Sequence, residues 1–187
     1  MNYQNLACWG DSQTFGARTY GCFPLHLARK LNHDTRYVWS VFNLSANGYT
    51  ARNLWFRIPH DLPLVRDVYQ ACVLIGANDV GNETPLDLFE EYYRQVLDLL
   101  RIHGFRVVFC GEIPPIRADG HAFFSAGAER RLAEYNDRVR AAVERSPIAK
   151  LVPLGDLGPE CFVDPVHLTE VGNERVAECF ARAIVSY

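Results

Sequence analysis

The sequence predicts an α/β fold, a parallel sheet of about five strands with helices on both faces. Three observations carry this. Short apolar runs alternate with longer amphipathic ones along the whole chain. A central run, YQACVLI at 69–75, is apolar at nearly every position, as a strand covered on both faces must be. The short motifs rich in Gly, Asn, Asp and Ser fall at predicted strand ends or in the following loops, where such sheets bind ligands.

The elements follow in order. Asn5 to Trp9 reads as a buried strand, and Pro24–Leu31 as a helix with Leu25, Leu27 and Leu31 inward and His26, Arg29 and Lys30 outward. Tyr37–Leu44 is rich in β-branched and aromatic residues and reads as the second strand. Thr50–Ile58 is a short helix that Pro59 and Pro63 should break. After the third strand, Pro85–His103 is the clearest helix, with Leu86, Phe89, Tyr93, Val96, Leu97 and Leu100 recurring at three and four. Pro85 suits its first turn and Gly104 its C′ position. Phe105–Cys110 is a strand, and Pro114–Gly127 a loop that reads as a lid or specificity wall. Ala128–Arg145 is a helix, Lys150–Leu154 the fifth strand, and Thr169–Ile184 the last helix, with Val171, Val176, Phe180 and Ile184 inward.

At 187 residues the chain reads as one domain, 1–187. A net charge of -3 and the lack of any Lys/Arg stripe argue against nucleic acid as a partner. No apolar segment is long enough to span a membrane, and the first residues show no signal-peptide pattern. The six cysteines are scattered without a CxxC pair, which fits a reduced, cytoplasmic protein, with Cys72 and Cys110 as core residues. No His pair has metal-ligand spacing, so neither metal nor cofactor is expected. Oligomeric state is not legible.

The chemistry gathers at four loops. Ser12, between a strand end and a glycine-rich turn, can stand exposed on a rigid support as a nucleophile. His167 can take its proton at Nε2, and Asp164, three residues earlier, can hold Nδ1–H. The N–H groups of Ser12 and Gly48 and the Asn78 side-chain amide can serve as oxyanion donors. Asp11 is read as a loop acceptor of backbone N–H groups, not as an acid or base. Each motif alone has a plainer reading: Gly-Asp-Ser as a turn or cap, Asn47-Gly48 as a turn pair, Asn78 bonding its own backbone, Asp164 capping its loop. One mechanism explains all four together.

These residues resemble the blocks of the SGNH hydrolase superfamily, also called GDSL esterases/lipases. Gly10-Asp11-Ser12 with Thr14 and Gly16 resembles the first block, and 43–50 with Gly48 the glycine block. Gly76-Ala77-Asn78-Asp79 resembles G-x-N-D, and Asp164-Pro165-Val166-His167 with Gly172 the final D-x-x-H. The resemblance implies a three-layer α/β/α, flavodoxin-like sandwich with a shallow site, and a Ser-His-Asp hydrolase acting on esters or thioesters without metal or cofactor. Gln13 stands where the family usually has leucine and should pack beneath Ser12; Tyr49 puts a ring where an acidic residue is common.

The expected function is therefore a serine esterase for small-molecule carboxylic esters, short acyl groups such as acetyl above all. Phe15, Tyr49, Val80, Pro165 and Val166 are the expected substrate-binding walls, with Tyr20, Trp55, Phe123 and Phe124 as further candidates. Acyl transfer, thioester or lysophospholipid hydrolysis, and a catalytically silent binding module stay open as alternatives. A flavin or nucleotide binder is disfavoured, since no G-x-G-x-x-G or P-loop follows the first strand.

Overall fold

Successive side chains of a strand point to opposite faces, and in this chain both sets are apolar, so the sheet must be covered twice. The computed structural model, which describes residues 2–116 and 127–187, shows how. Strands β1 (Tyr3–Gly10), β2 (Val38–Asn43), β3 (Gln70–Leu74), β4 (Val107–Gly111) and β5 (Ala149–Val152) form one sheet in the order β2-β1-β3-β4-β5. Every pair is parallel, with Cys8 opposite both Asn43 and Cys72, and Cys72 opposite Phe109. Ala7, Trp9, Val73, Val108 and Cys110 face one apolar cluster; Leu6, Cys8, Cys72, Leu74 and Phe109 face the other.

Helices α3 (Ala51–Asp61), α5 (Leu86–Ile102) and α6 (Ala128–Arg145) cover the first face, through Leu54, Ile58, Phe89, Tyr93 and Val139. Helices α2 (Phe23–Asp34) and α7 (Glu170–Val185) cover the second, where Phe23 stacks on Phe180 with ring centroids 5.0 Å apart. Two one-turn helices, α1 (Ser12–Phe15) and α4 (Ala77–Gly81), follow β1 and β3 directly. The three-layer architecture agrees with the expected fold class. All six cysteines are free thiols. No helix among the described residues is long and apolar enough to cross a membrane.

Local sequence explains most boundaries, and four details differ from expectation. Helix α3 runs on through Pro59 to Asp61. A Thr50–Asn53 capping box starts it, and at its end buried Asp61 accepts Trp9 Nε1–H at 3.1 Å and Arg57 Nε–H at 2.6 Å. Those bonds hold the last turn despite the lost N–H. On α2 the phase is turned. The inward stripe is Phe23, Leu27 and Leu31; His26 is buried beside it, 3.0 Å from Glu170 Oε1, whereas Leu25 is exposed. On α7 the inward stripe is Gly172, Val176, Phe180 and Ile184, and Val171 is exposed. The loops expected after β1 and β3 begin as single helical turns, α1 and α4. The proposed lid reaches residues outside those described, Phe123 and Phe124 among them.

The order β2-β1-β3 means that the chain leaves β1 in one direction and β3 continues in the other, so the sheet has its switch point between them. Helices α1 and α4 flank that point, and Gly10 lets them close in. A Cβ at Gly10 would lie 2.1 Å from Thr14 Oγ1 and 2.2 Å from the Leu74 carbonyl oxygen. Gly10→Ala is therefore expected to lose about 1–3 kcal/mol of stability by overpacking, read as a lower urea midpoint at unchanged slope. An unchanged midpoint would contradict this packing.

Candidate active site

Asp11 caps α1, its Oδ1 accepting the Gln13 N–H at 2.9 Å. Ser12 is thereby the first residue of the turn, and its Oγ lies 3.1 Å from His167 Nε2. His167 Nδ1 lies 2.8 Å from Asp164 Oδ2. The other Asp164 oxygen, Oδ1, accepts the backbone N–H groups of Val166 at 2.9 Å and His167 at 2.8 Å. One carboxylate thus folds the turn and aims the ring, which is why the two residues stand three apart. Burial pushes the Asp164 carboxyl up, but the N–H groups of His167 and Val166 and the His167 ring outweigh it. The carboxyl ends below its usual value and stays ionised beside the imidazole.

The remaining blocks close around this chain of bonds. Gly48 has φ +78 and nothing within 4 Å of where a Cβ would stand, so its left-handed backbone faces open space. The Asn78 amide donates to the Tyr49 carbonyl at 2.9 Å, which leaves its second N–H for another acceptor. Asp79 Oδ2 accepts the Ala51 N–H at 2.9 Å and so fixes the glycine block to α4. The Asn43 amide donates to the Thr14 carbonyl at 3.1 Å. Ser12, Gly48, Asn78 and His167 line one cavity of about 690 Å³, together with Phe15, Gly16, Ala17, Arg18, Thr19, Asn47 and Val166.

Of the expected walls, Phe15 and Val166 line this cavity. Tyr49, Val80 and Pro165 do not. The chain turns into α3 just after Gly48, so Tyr49 offers its carbonyl to Asn78 while its ring borders a separate hollow with Asn53, Phe56 and His60. Val80 lies on the core side of α4 and is fully buried. Trp55 packs against Phe56 and Tyr92, and Tyr20 is fully exposed. A second cavity of about 700 Å³, between β5 and α7, shares no residue with the first.

Two further side chains join the site: Gln13, expected to pack beneath Ser12, and Arg18, which the sequence reading does not single out. Gln13 is buried, and its amide donates to the Val166 carbonyl at 2.8 Å, joining the Ser12 turn to the His167 loop. The sequence marks Gln13 as a polar residue in place of leucine, but not this bond to a loop 153 positions away. Arg18 Nη1 lies 3.2 Å from Asp164 Oδ2, and nothing local in the sequence marked it. Among the described residues one group has ligand atoms close enough for a cation: His26, Glu170 and Glu174. Its His26 Nε2 already meets Glu170 Oε1 at 3.0 Å, and none of the three lines the Ser12 cavity.

Behind the site lie two buried acids. Burial raises Asp11 to about 7, against the pull of the Gln13 N–H and with the Asp79 charge adding to the rise. Burial likewise raises Asp79 to about 6, although the Ala51 N–H pulls it down.

Comparisons with known proteins bear on the family and the fold. A family model described as the GDSL-like Lipase/Acylhydrolase family matches residues 8–175. No curated protein matches the chain. Among solved structures, a lipase/acylhydrolase from Enterococcus faecalis is 17% identical with a TM-score of 0.82, covering 97% of this chain and 95% of that one. A carbohydrate acetylesterase family member from Sinorhizobium meliloti is 18% identical with a TM-score of 0.81, over 97% of both chains. An acetylxylan esterase from Geobacillus stearothermophilus is 20% identical with a TM-score of 0.78, over 97% of this chain and 94% of that one. At these identities the structures show a shared fold.

The buried acids give a pH signature. A carboxyl whose folded pKa is raised binds its proton more tightly in the folded state, so its stabilising contribution is full below the unfolded value near 3.8 and is lost as pH rises through the folded value. Stability should therefore fall between about pH 4 and 7 as Asp79 and then Asp11 ionise. In Asp11→Asn that fall should be shallower, measured as melting temperature against pH. A slope identical to wild type would contradict the raised Asp11.

Proposed function

The chain belongs to the GDSL-like lipase/acylhydrolase family, and from that premise we propose that it is a serine esterase that cleaves short-chain carboxylic esters through an acyl-enzyme. The observation that carries the reading is the continuous bond chain Asp164–His167–Ser12, with 2.8 Å and 3.1 Å steps, opening onto a cavity. Such a chain lets the imidazole accept the hydroxyl proton as the oxygen attacks, with the carboxylate holding the tautomer and stabilising the imidazolium.

In the first step Ser12 Oγ adds to the ester carbonyl carbon and His167 Nε2 takes the proton. The carbonyl oxygen becomes an oxyanion, held by the N–H groups of Ser12 and Gly48 and the free N–H of the Asn78 amide. Gly48 suits this role because no side chain blocks the approach. The intermediate collapses, the C–O bond to the alcohol breaks, and His167 returns its proton to the leaving oxygen. Water then adds to the acyl-serine, giving up a proton to His167, and the acid departs as Ser12 recovers its hydrogen. The bond from Asn78 to the Tyr49 carbonyl fixes the amide before substrate arrives, so little reorganisation remains at the transition state.

The acyl preference is for acetyl and similarly short groups. Phe15, Ala17 and Val166 supply a limited apolar lining, the rest being polar or glycine. Two neighbours that share the fold are named as acetyl esterases.

Ser12→Ala should lose 4-nitrophenyl acetate hydrolysis almost entirely, and Ser12→Ala/His167→Ala should lose no more than the worse single variant. Asn78→Ala should lower kcat about a hundredfold to a thousandfold with a smaller change in KM. Wild-type kcat/KM should fall from the acetate to the octanoate. Ser12→Ala that kept most of the activity would overturn the assignment, and a rise toward octanoate would overturn the acyl preference.

A further inference from the structure

Arg18 is the one permanently charged side chain among the described residues that line the Ser12 cavity. Its side chain is 62% exposed, and Nη1 rests 3.2 Å from Asp164 Oδ2. The backbone there has φ +67, a left-handed conformation that costs a residue with a Cβ free energy. The turn so formed places a long cationic side chain at the cavity wall, between the Phe15 turn and the start of α2. Asp164 Oδ2 is also the oxygen that faces the His167 ring, so the guanidinium sits on the His167 side of the nucleophile. In ester cleavage that is the side of the leaving alcohol, because the imidazole must reach the departing oxygen.

We propose that Arg18 selects esters whose alcohol portion carries an anionic group, a carboxylate or a phosphate, and that its exposed N–H groups bind that anion. This rests on the esterase reading above and adds the class of alcohol to it. A guanidinium presents five donors in a planar fork, of which Asp164 engages one edge through Nη1. Arg18 lines the cavity with a largely exposed side chain, so its other N–H groups can match the paired oxygens of a carboxylate or phosphate. Asp164 offsets part of the positive charge, so recognition depends on these directed bonds more than on long-range attraction. The described wall holds no carboxylate that would repel the anion: its other members are Ser12, Phe15, glycines, small residues, amides, Val166 and His167.

The test uses three acetyl esters of one alcohol framework: 4-acetoxybenzoate, 4-acetoxyphenyl phosphate and neutral methyl 4-acetoxybenzoate, with phenol release followed by chromatography. For wild type, kcat/KM should favour an anionic ester over the neutral one by about tenfold to a hundredfold. The larger of the two ratios identifies the anion. Arg18→Gln should bring that ratio close to one, Arg18→Lys should retain part of it, and 0.5 M salt should reduce it in wild type. A wild-type ratio near one, or a ratio that Arg18→Gln leaves unchanged, overturns the proposal. So does an Arg18→Gln variant that slows all three esters equally, which would make Arg18 a positioning residue for Asp164. In each of those cases Ser12-dependent cleavage of the neutral ester leaves the esterase reading standing. If Ser12→Ala cleaves all three as fast as wild type, the esterase reading falls and the Arg18 proposal with it.

Discussion

A contact between residues 155 positions apart sets the demands on this fold: the 3.1 Å approach of His167 Nε2 to Ser12 Oγ. A shift of a few tenths of an ångström would spoil it, so both ends need rigid support. Ser12 has the buried end of β1 behind it, and a cap at Asp11 that fixes the direction of α1. His167 has the Asp164 carboxylate, which holds the loop by two N–H groups and the ring by a third bond. The two ends are then tied directly by the Gln13 amide on the Val166 carbonyl. A leucine at that position could fill the space but could not make the bond.

The same logic runs around the rim. Asn43 ties the glycine block to the Ser12 turn, while Asn78 and Asp79 tie it to α4. Short polar side chains bonding to backbone groups of a neighbouring loop recur at each junction. They replace the apolar packing that fixes the helices, because loops at a sheet edge have little apolar surface to bury. The arrangement has a cost. Asp11 and Asp79 are taken out of water close together, and burial raises both. Part of the stability from the two apolar layers is spent in holding this rim together.

The layers were legible in the sequence because strands apolar on both faces leave few architectures open, and the four blocks named the residues that meet at the rim. The errors were of a physical kind. On α2, Leu25 and His26 differ by one position, a turn of 100° on the helix, and a hydropathy stripe cannot say that a histidine will be buried against a carboxylate from α7. Pro59 reads as a stop in isolation, yet Asp61 anchors the turn beyond it through Trp9 and Arg57. Val80 and Tyr49 sit beside cavity residues in sequence, but a one-turn helix and a left-handed glycine turn their side chains away from the cavity. Adjacency along a chain is a poor guide to adjacency around a site. Arg18 and Gln13 illustrate the converse, since their partners lie 146 and 153 positions away.

The central claim is that His167 and Asp164 activate Ser12. Intact-mass spectrometry after exposure to a fluorophosphonate tests it most directly, because the reagent reports an activated serine whatever the natural substrate. The account predicts a single adduct on the wild type that maps to Ser12, is absent from Ser12→Ala and forms far more slowly in His167→Ala. A folded wild type that takes up no reagent, or an adduct that persists in Ser12→Ala, would contradict it.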